Sequence, residues 1–183
     1  MVVPDSKDWT WVLDRQCPDC GFDASTVSAR VVPALVRQNA DRWSRLLGEG
    51  VIVAGRSDPA AWSPLEYACH VRDVYERFDE RISLMLTEWN PLFPNWDQDA
   101  TAAQERYDEQ DPGQVLQQLT VAAAGLAARL EAVSSEGQER PGRRSDGATF
   151  TVDSIARYMI HDPVHHLWDV EHLRDVGPRQ SES

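Results

Sequence analysis

Two places in the chain spell the start of a helix in nearly the same letters. Ser63-Pro64-Leu65-Glu66 offers an N-cap hydroxyl, a proline at the first helical position and a glutamate three residues after the cap. Asp111-Pro112-Gly113-Gln114 repeats the device with glutamine in the glutamate's place. Behind the first start, Leu65, Cys69, Val71, Tyr75, Phe78, Ile82 and Met85 recur mainly three or four apart, which predicts a helix to about Glu88 with one buried face. Behind the second, Val115, Leu116, Leu119, Ala123, Leu126 and Leu130 do the same. A third helix, capped by Thr151 or Asp153, carries Ile155, Ile160, Val164, Leu167 and Val170 to about Arg174. A fourth spans 25–47, with Val27, Val31, Leu35, Trp43 and Leu46 on its stripe and Pro33 in its body or first turns.

Four amphipathic helices bury their stripes most simply against one another, so the fold class is all-α, a four-helix bundle. Val51-Ile52-Val53-Ala54 is the one β-like run and is too short to argue for a sheet. Segments 48–62 and 134–150 read as loops. The stretch from Trp89 to Gln110 is a longer connection, rich in aromatic residues and proline, with a short helix from Asp99. Long connections of this kind are often functional. The division expected is an N-terminal arm over 1–24, a bundle over 25–176 and a frayed tail over 177–183.

The formal charge of −12 argues against a nucleic-acid partner, which needs a basic face. Apolar runs such as Val121 to Leu126 are far too short to cross a bilayer. No stretch near Met1 has the pattern of a signal peptide, so a cytoplasmic location is expected. The three cysteines fit a reducing compartment better than a disulfide framework. Cys17 and Cys20 form C-P-D-C-G, the shape of one half of a zinc ribbon. No second CxxC follows, which favours a tight turn over a metal or redox role. Cys69, beside His70 but about 100° away around the helix, reads as a packing residue.

Histidine is where the chemistry concentrates. Of five in the chain, four lie between His161 and His172. His161 and His165 are four apart on one helix, separated by only about 40° around its axis, so one cation can be shared between them. His70, on another predicted helix, could complete a three-nitrogen site with coordination positions left open. Asp169, four after His165, is placed to hydrogen-bond the far nitrogen of a ligating histidine. Asp73 and Glu66 flank His70 on its own face and are candidates for the same work, although Glu66 also has the capping box to serve. Pro163 removes a backbone hydrogen bond between the paired histidines and is expected to kink the helix.

At these residues the chain resembles a known family. Trp62-Ser63-Pro64-Leu65-Glu66-Tyr67-Ala68-Cys69-His70-Val71-Arg72-Asp73 is similar to the second-helix signature of the DinB/YfiT-like superfamily. His161-Asp162-Pro163-Val164-His165-His166-Leu167 is similar to its closing HxxxH motif, in the form common among actinobacterial members. The resemblance runs from Ser25 to Arg174, and extends to the N-terminal domain of mycothiol-dependent maleylpyruvate isomerase. It implies an up-down-down-up bundle, frequently a homodimer, with a divalent metal, zinc or nickel, held by His70, His161 and His165. It further implies a transferase or isomerase using a low-molecular-weight thiol such as mycothiol. The alternatives are a metal-dependent hydrolase, with Glu66, Asp73 or Asp162 as general base, or a non-catalytic metal-binding, stress-associated protein. The arm from Trp9 to Ser25 lies outside the common bundle pattern, and its aromatic residues suit it to pack over one end of the bundle.

Overall fold

The computed structural model describes residues 9–48, 56 and 61–175. Four long helices make the bundle: α1 (Val32–Gly48), α2 (Pro64–Thr87), α4 (Pro112–Ala132) and α6 (Val152–Asp175). Short helices α3 (Gln98–Gln104) and α5 (Ser135–Gln138) sit in the connections. Both helix starts read from sequence are present. Ser63 accepts from the Glu66 backbone while the Glu66 carboxylate accepts from the Ser63 backbone, and Asp111 caps α4 by accepting from the Gln114 amide. At α1 the first turns are tighter than expected: 25–28 is not helical, and a 3-10 turn over Ala29–Val31 leads into the helix. Pro33 therefore falls in the opening turn of α1, where its missing N–H costs nothing.

α4 and α6 each pack against both α1 and α2, so α1 and α2, though consecutive in sequence, lie diagonally across the bundle. Trp43, Tyr75, Leu65, Ile82, Leu119, Leu126, Ile155, Met159 and Ile160 are fully buried between the four helices. A polar thread crosses this core. The Tyr75 hydroxyl donates to Asn39 Oδ1 at 2.7 Å, and Asn39 Nδ2 donates to the Pro163 carbonyl at 2.8 Å. One amide thus ties α1, α2 and α6 together at the proline. α6 runs on through Pro163, which lies inside the helix.

A small three-stranded sheet flanks the bundle, where the sequence reads as connections. β1 (Leu92–Phe93) runs parallel to β2 (Pro141–Arg144), which pairs antiparallel with β3 (Thr149–Thr151). Strands this short have no readable alternation, and they form because the 89–96 connection meets the 141–151 hairpin beside the bundle. Arg140 donates to the carbonyls of Met85 and Glu88, both at 2.6 Å, satisfying the C-terminal end of α2. The β-like run 51–54 lies outside the described residues. Among the described residues no helix is long and apolar enough to cross a membrane.

Candidate metal centre

His70 sits in the second turn of α2, completely buried, on a stretch where Leu65, Glu66, Cys69, Val71 and Val74 are buried as well. Facing it on α6 is the string His161-Asp162-Pro163-Val164-His165-His166, which holds two i,i+4 pairs offset by one residue. His161 and His165 share one face; Asp162 and His166 share the next, rotated by about 100°. It is the second face that meets His70. His70 Nε2 lies 3.1 Å from Asp162 Oδ1, the His70 and His166 rings are 4.9 Å apart, and His166 Nε2 is 3.7 Å from the same Asp162 oxygen. One donor atom from each of His70, Asp162 and His166 lies within 4.8 Å of the others.

The other face meets the arm. Donor atoms of His161, His165, Cys17 and Cys20 likewise fall within 4.8 Å of one another, with Cys17 Sγ 3.6 Å from His165 Nδ1. The three ligands expected from the sequence are therefore divided between two clusters: His70 in one, His161 and His165 in the other. The physical reason is the angular offset on α6. The helix cannot present both of its i,i+4 pairs to α2, and the pair it does present contains Asp162 and His166. Asp162 and His166 have the same i,i+4 spacing as the HxxxH pair, so the string alone does not say which pair faces α2.

The remaining candidates have clear occupations. Glu66 is held by its capping role and by Arg56, whose Nε donates to Oε2 at 2.9 Å and whose Nη2 donates to Oε1. Burial alone would raise the Glu66 pKa, but Arg56 and the Ser63 backbone outweigh it and leave the carboxyl below its ordinary value. Asp73 accepts from Arg72 Nε at 2.7 Å and from the Tyr107 hydroxyl. Neither carboxylate contacts His70 by a hydrogen bond. Asp169 is different: its Oδ2 lies 3.0 Å from His166 Nδ1, and its Oδ1 lies 3.7 Å from His165 Nε2.

The electrostatics suit cation binding. Burial pushes Asp162 upward, yet His70 and His166 pull it well below the usual carboxylate range, so it is ionised whenever the protein is folded near neutrality. Burial and the neighbouring His165 push His161 down to about 4, and burial lowers His165 as well, so both rings are neutral and available as ligands. Two buried ring nitrogens, His70 Nδ1 and His161 Nε2, have no hydrogen-bond partner among the described residues. Each cluster thus holds one buried histidine with an unpartnered ring nitrogen, as residues that bind a metal do.

Aromatic side chains wall the first cluster. Trp96 stacks on His70 at 5.2 Å with the rings 9° from parallel, Trp62 lies 5.1 Å from His70, and Tyr67 lies 4.9 Å from His166. The 89–96 connection thus contributes directly to the site, as its aromatic content suggested. A polar cavity of about 750 Å³, lined by Arg72, Asp73, Glu76 and Arg77 of α2 among others, runs along the neighbouring flank and contains none of the histidines. Trp96 touches both regions, since the Arg77 guanidinium lies 4.6 Å over its ring.

Comparison with known proteins agrees with this architecture. None of the curated proteins compared with the chain matches it. Among solved structures it is similar to YfiT from Bacillus subtilis, described as a probable metal-dependent hydrolase with an unusual four-helix bundle topology. That similarity covers 97% of this chain and 95% of the other, at 16% sequence identity and a TM-score of 0.63, and it establishes the shared fold. The family model of the DinB superfamily matches residues 23–170, which takes in α1, α2, α4 and α6 as far as Val170, with His70 and the complete His161–His166 string. On that match the chain belongs to the DinB superfamily.

Proposed function

We propose that the protein is a metal-dependent hydrolase whose divalent cation is held by His70, Asp162 and His166. The observation that carries this reading is the convergence of two imidazoles and one ionised carboxylate, from two facing helices, inside an aromatic wall. Three protein donors of this kind leave coordination positions open, as catalytic zinc sites do. The YfiT description points to the same reaction class.

When bound, the cation supplies Lewis acidity, polarising an ester or amide carbonyl and easing deprotonation of water. The residues of the chain supply the rest. Asp169 Oδ2 accepts the Nδ1 proton of His166, which leaves Nε2, the nitrogen nearest Asp162, without a proton and ready to bind. Asp162 contributes the negative charge that two neutral imidazoles lack. Trp62, Trp96 and Tyr67 cover one side of the cluster with apolar surface, which strengthens the electrostatic interactions there.

The test is a screen of chromogenic esters and amides with metal-loaded protein, alongside Asp162→Asn and His166→Ala. Turnover that disappears on chelation and in both variants supports the reading. The thiol-transfer alternative has its own signature: calorimetric binding of mycothiol to the loaded protein, abolished by His166→Ala, with no hydrolysis of any ester or amide. That result would replace the hydrolase assignment.

A further inference from the structure

We infer that Cys17, Cys20, His161 and His165 form a second, closed metal site that binds zinc and fastens the N-terminal arm to α6. Four donors within 4.8 Å of one another, two sulfurs and two imidazole nitrogens, are the set that selects tetrahedral zinc. The spacing on each side is that of known structural sites, two residues between the cysteines and three between the histidines.

The arm is shaped for this. Pro18 and Asp19 turn the chain so that the Gly21 amide donates to the Cys17 carbonyl at 3.0 Å and the Cys17 amide donates to the Phe22 carbonyl at 2.9 Å. Gly21 has φ +72°, a left-handed conformation that glycine adopts without strain. Cys17 is buried and Cys20 half-buried, and their side chains make no disulfide. Trp9 lies 5.6 Å from the rings of both His161 and His165, while Trp11 and Phe22 lie 6.5 and 6.4 Å from His161.

Two further observations point to a ligand rather than to packing alone. His161 is 4% exposed, and its Nε2 is buried with no hydrogen-bond partner among the described residues. His165 turns Nδ1 toward Cys17 and Nε2 toward Asp169 Oδ1, the carboxylate–histidine arrangement that orients metal-ligating imidazoles. Charge also balances. On binding, the two thiols release their protons to solvent, and two thiolates with two neutral imidazoles cancel a divalent cation, so no net charge is left beneath the tryptophans. Four protein donors leave no open position, which makes this site structural where the His70 cluster is open.

The inference is independent of the hydrolase reading and is tested without any assay of turnover. Protein purified without a polyhistidine tag is stripped with a chelator and titrated with cobalt(II). A thiolate-to-cobalt charge-transfer band with tetrahedral d–d absorption is expected in the wild type, retained in His70→Ala, and lost in Cys17→Ser and in His161→Ala. Zinc analysis should show the cysteine variant one equivalent short of the wild type. Reactivity of Cys17 and Cys20 toward a thiol reagent, measured on the unmutated protein, should rise at least tenfold on chelation. Absence of the sulfur band in wild-type protein would overturn the assignment, as would its loss in His70→Ala with retention in His161→Ala. Equal thiol reactivity with and without zinc would do the same.

Discussion

His165 and His166 are neighbours in sequence but belong to different clusters, their rings 5.8 Å apart and 80° from parallel. His165 faces the cysteines of the arm, and His166 faces His70 on α2. Between their outer nitrogens sits one carboxylate, Asp169, with Oδ2 toward His166 and Oδ1 toward His165. Two separable consequences should follow from this division. His166→Ala is expected to abolish metal-dependent turnover while leaving the sulfur–cobalt band intact. His165→Ala is expected to remove that band. Absorption spectra and turnover measured on the same preparations check both.

Asp169→Ala removes the group that orients both rings. Losing such a partner typically weakens metal affinity or activity by about 10–100-fold. The expected outcome is a loss of that size at the His166 cluster, where the contact is 3.0 Å, and a smaller one at the His165 cluster, where it is 3.7 Å. Competition against a chromogenic chelator measures each affinity.

Tyr75→Phe deletes one hydroxyl from the thread joining α2, α1 and α6. Asn39 Oδ1 then loses its donor in a site closed to water. A buried acceptor left unpaired costs about 1–3 kcal/mol, so urea unfolding should show destabilisation of that order with an unchanged denaturant slope.

Trp96→Ala removes the ring stacked on His70 and opens the wall of the first cluster. A stacked aromatic pair contributes about 0.5–1.5 kcal/mol beyond the area it buries. Unfolding free energy should fall by at least that amount, and if the wall excludes water, kcat should fall more than KM rises. Parallel denaturation and steady-state kinetics distinguish the two effects.

Glu66 gives the molecule an acid limit of its own. Its pKa is lower in the folded chain than in the unfolded one, so the unfolded state binds the proton more tightly. The stability it contributes is complete above the ordinary glutamate value of about 4.3 and is lost as pH falls through the lowered folded value. Glu66→Gln lacks this titration. Urea midpoints compared at neutral pH and near pH 4 should therefore fall more steeply in the wild type than in the variant.

The sequence by itself determined the elements and the stock of donors. Caps at Ser63 and Asp111, prolines in first turns and apolar residues three and four apart act within a few residues, so the four helices and the burial of His70 could be read from local spacing. The HxxxH pair was equally visible, and so was the tight turn at Cys17–Cys20. What local spacing cannot specify is how α6 is rotated about its own axis relative to α2, or where a distant arm comes to rest. A rotation of about 100°, one residue's worth, decides whether His161 and His165 or Asp162 and His166 face His70. That rotation is set by the packing of Ile155, Met159 and Ile160 in the core and by the hydrogen bond from Asn39 to the Pro163 carbonyl. Those are long-range contacts, as is the approach of Cys17 to His165. The tertiary structure therefore decided the pairing: it separated His70 from the histidines it was expected to join, gave it Asp162 and His166, and brought the cysteines to the pair left over.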